Sequence, residues 1–206
     1  MIKIAFIQQK GGSGKTTMCI HAACALAERH KVALVDLDTQ GSIAAWHEHI
    51  SAQPKNLDVF VAGKAKDLGE LSGYDYVIVD TKGELSAEVL PFVDVVLLPC
   101  QPSPLDVWAA ADSVQLCRDY IEKINPKLKA ALVVSRLLPN TLLGKEIKEL
   151  LLGYGLPVLK AVLRQRTGYA ASIALGKSAV SSGVSDVAEE ARAFAKAIKE
   201  FSKASK

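Results

Sequence analysis

The chain has no run of eighteen or more apolar residues, so nothing in it reads as a membrane-spanning helix. Its start enters an apolar stretch, Ile2 to Ile7, without the charged segment and small-residue cleavage site of a signal peptide. Only four cysteines occur, Cys19, Cys24, Cys100 and Cys117, and none forms a C-x-x-C pair or stands at metal-ligand spacing. That excludes a disulfide framework and a cluster-carrying electron-transfer protein, and reads as buried free thiols in a reducing cytoplasm. No repeat, linker or low-complexity segment interrupts the 206 residues, and half of them are hydrophobic, so one domain over 1–206 is expected rather than disorder.

Acid is also missing locally. Residues 1–100 carry 9 basic and 12 acidic side chains, whereas 101–206 carry 16 and 10. From Leu150 to Ser185 there is no acid, but there are Lys160, Arg164, Arg166 and Lys177. Such a zone suits nucleic acid or anionic lipid, and equally a solubilising surface.

What is present is organised around Lys10 to Thr17, Lys-Gly-Gly-Ser-Gly-Lys-Thr-Thr. It follows the strand Ile2–Ile7 and precedes a helix from Met18 to Glu28, the context in which a glycine-rich loop cradles phosphate. Gly11, Gly12 and Gly14 let the backbone curl so that the N–H groups of the loop, through Ser13, Thr16 and Thr17, surround an anion at the positive end of the helix. Lys15 is placed to reach the β- and γ-phosphates and the Thr16 hydroxyl to ligate Mg²⁺. A second strand, Lys31 to Asp36, ends in Asp36-Leu-Asp38, with both carboxylates on one strand face. Asp36 reads as a helix cap as readily as a catalytic group. A later strand, Tyr74 to Asp80, ends in the aspartate expected to hold Mg²⁺, and Gly83 then allows close backbone approach to the γ-phosphate.

Lys10 at the first loop position, with Gln9 where a general phosphate loop has glycine, resembles the deviant motif of the ParA/MinD ATPases. The stretch Asp36 to Ser42 resembles that family's second motif, with Thr39 in place of its proline, and Pro99 to Asp106 resembles the proline-containing loop of the small plasmid-type ParA proteins. The likeness runs almost the full length. It implies an α/β fold with one doubly wound, mainly parallel sheet covered by helices on both faces. It implies that Lys10 contacts nucleotide held by the other subunit of an ATP-sandwiched homodimer, that Asp38 activates the attacking water and that Asp36 supports the metal. Ser135, where the family has Asn or Thr, and Arg136 would stand at the base. The resemblance further implies a slow Mg²⁺-dependent ATPase whose ATP dimer binds DNA non-specifically, rides the nucleoid in the cytoplasm, and segregates DNA with a centromere-binding adaptor that stimulates hydrolysis. Lys160, Arg164, Arg166 and Lys177, with the last helix, are then the candidates for phosphate contacts. A MinD-like membrane regulator and a positioner of a cytoplasmic protein cargo share the same ATPase. The last helix, 185–202, has an alanine-rich apolar face without tryptophan and nearly balanced charge, which favours packing on the sheet over membrane anchoring.

Overall fold

The computed structural model describes residues 1–38, 40–51, 53–83 and 86–204. Six strands form one sheet: β1 (Ile2–Phe6), β2 (Val32–Asp36), β3 (Leu57–Val61), β4 (Tyr76–Asp80), β5 (Val95–Cys100) and β6 (Lys129–Val134). Their order is β3-β2-β4-β1-β5-β6, and every pairing is parallel. Among the described residues seven helices accompany them: α1 (Lys15–Ala27), α2 (Ser42–Glu48), α3 (Ser86–Val89), α4 (Pro104–Lys123), α5 (Leu142–Leu152), α6 (Thr167–Ala174) and α7 (Ser185–Lys203).

The inner strands are apolar without alternation because both sheet faces are covered. Ile4 and Phe6 of β1 point into a core shared with α1, α2 and α7, where the rings of Phe6 and Phe194 lie 6.2 Å apart. Ala5 and Ile7 enter the opposite core, built with α4 and α5. From β1 the chain winds outward to β2 and β3, returns to β4 beside β1, then winds the other way through β5 and β6. That reversal leaves a crevice at the carboxyl ends of β1, β4 and β5.

One element differs from the sequence reading, and two segments lie outside the main sheet and helices. The first helix begins at Lys15 rather than Met18, because Gly14 caps it in the left-handed conformation, φ 96°. The loop therefore delivers Lys15, Thr16 and Thr17 inside the first turn, where backbone N–H groups lack helical acceptors. The apolar run Pro157 to Leu163 makes only isolated bridges along the outer side of β6 and its continuation, Leu132 to Val158 and Leu137 to Arg164. It carries one more residue between those bridges than the β6 side does, so the ladder loses register and bulges. Between β3 and β4 the chain makes a 3₁₀ turn over Ala65–Gly69.

Candidate functional site

The loop after β1 is held from several sides. Ser135 Oγ donates to Ser13 O at 2.9 Å, and Gln101 Nε2 donates to Gly12 O at 2.6 Å. Behind them, buried Gln8 donates to Pro99 O and accepts from Ser113 Oγ, which ties the end of β1 to β5 and α4. Gly83 lies so close that a Cβ there would stand 2.5 Å from Gln9 O. Its lack of a side chain is thus required by the loop itself, whereas the sequence reading assigns it to the γ-phosphate. Gly12, with φ 75°, and Gly14 supply the left-handed backbone that folds the loop inward.

Gly11, Gly12, Ser13, Gly14, Lys15, Thr16, Thr17 and Asp38 line a cavity of about 400 Å³, together with Lys82, Gly83 and Arg136. Lys15 Nζ donates to Gln8 O at 3.0 Å, so its ammonium lies folded along the loop. Ser13 Oγ is buried without a hydrogen-bond partner. Thr16 Oγ1 donates to Asp80 Oδ2 at 2.6 Å. Burial pushes the Asp80 carboxyl up to about 6, against the opposing pull of the Thr16 hydrogen bond. A hydroxyl beside a buried, poorly solvated carboxylate is an oxygen donor set that fits Mg²⁺. Among the described residues no cluster of three or more His, Cys, Asp or Glu could hold a metal.

The two aspartates after β2 separate in role. Asp36 is fully buried, with Oδ1 accepting from Asp38 N and Oδ2 accepting from Ile43 N and Ala44 N at 3.0 and 3.2 Å. The carboxylate is taken up as an anchor for the start of α2, which corrects its expected place in the metal shell in favour of the capping alternative. Asp38 accepts from Gln40 N at 2.9 Å and faces the phosphate cavity. Thr39 lies outside the described residues.

A second cavity, about 310 Å³, adjoins the first through Gly14, Thr17 and Arg136 and is lined further by Ser135, Gln165 and Tyr169. Its place beside the phosphate loop suits a base and sugar. The Ser135 hydroxyl proton is engaged by the loop, so the hydroxyl is less free to read a base edge than the sequence suggests. Arg136, in the left-handed region at φ 49°, lines both cavities.

Arg164 and Arg166 line this same cavity. Both pair with Glu190, and Arg166 also pairs with Asp186. The stretch that is acid-free in sequence is not acid-free in space, because the first two turns of α7 fold back on it. Lys177 is half-buried, with its carbonyl accepting from Trp46 Nε1, while Lys160 is exposed. The four basic residues therefore do not form an unneutralised cationic strip, a correction that only the tertiary fold reveals. Lys10 Nζ lies 2.9 Å from Asp106 Oδ2 in the first turn of α4. Leu105 and Trp108 on that turn are 64% and 67% exposed.

Sequence reasoning missed Gln8, Gln101 and Ser113. Gln8, a polar residue closing an apolar strand, was the one with a visible signal; the other two bond across about ninety residues of chain or more.

Comparison with known proteins agrees with this geometry. The model of the CobQ/CobB/MinD/ParA nucleotide-binding domain matches residues 4–180. The maintenance of carboxysome distribution protein A of Halothiobacillus neapolitanus is 30% identical over 189 residues, 87% of each chain. A ParA protein of Rhizobium radiobacter is 29% identical over 95% of each. A crystal structure from Borrelia burgdorferi, assigned to plasmid partition and bound to AMPPNP, superposes with a TM-score of 0.74 over 97% of this chain and 98% of its own, at 22% identity. A parallel six-stranded sheet, a lysine-led phosphate loop at its switch point and this family match together settle the class: the chain belongs to the CobQ/CobB/MinD/ParA family of nucleotide-binding domains.

Proposed function

We propose that the protein is a slow, Mg²⁺-dependent ATPase that dimerises around ATP, binds DNA non-specifically in that state, and partitions DNA with an adaptor protein that stimulates hydrolysis. The observation that carries the enzymatic part is the convergence of Lys15, the Thr16–Asp80 pair and Asp38 on one cavity beneath the loop amides. The loop N–H groups and Lys15 stabilise charge on the triphosphate, and Asp38 is the carboxylate placed to orient water for in-line attack. Mg²⁺, when bound through Thr16 and Asp80, supplies further neutralisation of the phosphate oxygens. Lys10 reaches nucleotide in the partner subunit once it leaves Asp106. Loss of the γ-phosphate removes contacts shared by both subunits, so hydrolysis times dissociation.

A second reading concerns the cargo. The 30% identity to a carboxysome distribution protein favours a positioner that distributes a protein body, and we take DNA as its track from the first reading. Both readings share DNA as the track. Equilibrium binding to non-specific duplex at one fixed salt concentration, with ATP, with ADP and without nucleotide, tests it. Binding confined to ATP is expected; equal binding in all three states, or none, contradicts it. Following a DNA locus and protein bodies in a deletion strain then separates the cargoes. Uneven DNA inheritance is the expected loss, and clustered protein bodies with normal DNA inheritance would select the second reading. No helix among the described residues is long and apolar enough to cross a membrane.

A further inference from the structure

A cavity larger than the phosphate site lies away from the nucleotide. It is a groove of about 530 Å³ between the carboxyl end of α1 and the outer side of α7, floored by Ala25, Leu26 and Ala195. Arg29, Arg192, Lys196 and Lys199 line it, against Glu28 and Glu200. Glu28 is already taken by a two-pronged contact from Arg192, with Nη2 to Oε1 at 2.7 Å and Nε to Oε2 at 2.9 Å. Lys196 and Glu200 are both well exposed and 3.9 Å apart, a pair of little strength in water. No carboxylate of the described residues lies within ion-pair distance of Arg29, Lys199 or Lys203.

Arg192, Lys196, Lys199 and Lys203 recur at four, three and four residues, which sets them on one stripe of α7. At the rise of an α-helix the part from Lys196 to Lys203, beyond the Arg192–Glu28 pair, runs roughly 10 Å. Duplex DNA presents one negative charge about every 1.7 Å of its axis, so a stripe of that length faces several phosphates. Helix-end electrostatics explains only part of it: Lys199 and Lys203 sit near the carboxyl terminus, but Arg192 and Lys196 lie before the last turn, outside the reach of the dipole.

We infer that the stripe Lys196, Lys199 and Lys203, extended by Arg29, is the surface that contacts the DNA phosphate backbone, with Arg192 held by Glu28 at its end. This rests on the DNA-binding function proposed above and moves its surface away from Lys160, Arg164, Arg166 and Lys177. A lipid surface fits less well. The apolar face of α7, with Val187, Ala191, Phe194 and Ile198, is buried in the core and leaves nothing to insert between acyl chains. Both walls of the groove begin at the nucleotide. The first turn of α1 carries Lys15 and Thr16, and Glu190 of α7 accepts from Arg164 N and Tyr169 OH at the rim of the second cavity.

The test compares wild type with Lys196→Glu/Lys199→Glu, with the milder Lys196→Gln/Lys199→Gln, and with Lys160→Glu/Lys177→Glu. Binding of each to non-specific duplex is measured with ATP across a salt series, alongside ATP turnover, thermal melting and flotation with phosphatidylglycerol vesicles. The expected result is at least a tenfold loss for the Lys196/Lys199 reversal and a salt slope shallower by about two, the value for two lost phosphate contacts. The glutamine pair falls in between, both keep wild-type turnover and melting, and Lys160→Glu/Lys177→Glu binds as wild type does. Wild-type affinity in the Lys196/Lys199 variants overturns the stripe while leaving DNA binding standing. A wild-type protein that binds vesicles but no DNA in any nucleotide state overturns both.

Discussion

At the scale of single residues, the proposed mechanism assigns binding and reaction to different groups. Lys15→Ala removes the ammonium that rests on a loop carbonyl in the phosphate cavity, and ATP affinity measured by titration is expected to fall at least 100-fold, about 3 kcal/mol. Asp38→Ala leaves the loop intact, so nucleotide binding should persist while single-turnover hydrolysis drops by roughly 10² or more. Asp80 shows what the site costs the fold. Its carboxyl is raised to about 6 from an ordinary value near 4, so the folded, metal-free protein takes up a proton as pH falls from about 6 to 4 and gains stability over that range. Asp80→Asn should raise the stability of the metal-free protein at pH 7 by about 1–3 kcal/mol in chemical denaturation, an advantage that disappears near pH 4, and should abolish Mg²⁺-dependent turnover. His21 works the other way. Burial lowers it to about 3, and its Nδ1 accepts from Ala179 N, which requires the neutral ring. That stability is complete above about pH 6.5 and is lost as pH falls toward 3. His21→Asn, which keeps an acceptor near the Nδ1 position, should flatten this acid limb in urea midpoints recorded from pH 7 to 4.

At the scale of elements, the ends of strands carry the function and their middles carry the sheet. The parallel sheet was legible because buried strands are short unbroken apolar runs, as in Tyr76–Asp80, which ends in an aspartate, and Val95–Cys100, which leads into Gln101. Ambiguity arises where an apolar run has a partner on one side only. The run after Pro157 bridges β6 and its continuation at two places and bulges between them, and pairing register is not written in hydropathy. The phosphate loop was legible because its lysine, glycines and threonines are contiguous. Its supports were not, because Gly83 meets it only after three further strands, and Gln101 and Ser113 only after four. Gly83→Ala tests that support: with a Cβ driven to 2.5 Å from Gln9 O, the loop must shift, and both nucleotide affinity and melting temperature should fall. An unchanged affinity would show that the loop holds its shape without Gly83.

At the scale of the whole molecule, the charge that sequence placed in one zone is redistributed by folding. Asp186 and Glu190 neutralise Arg166 and its neighbour Arg164, while α7 turns its other side, with Arg192, Lys196 and Lys199, toward the end of α1. The signature lysine lies within its own subunit, on Asp106 at the edge of an exposed apolar turn. That ion pair must open for Lys10 to serve a partner subunit, so Lys10→Ala should bind ATP as a monomer and fail to dimerise. The most direct test of nucleotide-driven pairing is the mass in solution, by light scattering, of wild type and Asp38→Ala with Mg²⁺ and ATP, with ADP, and without nucleotide. Monomers are expected with ADP or no nucleotide, a transient dimer of wild type with ATP, and a lasting dimer of Asp38→Ala with ATP. One mass in all three states, whether monomer or dimer, would contradict it.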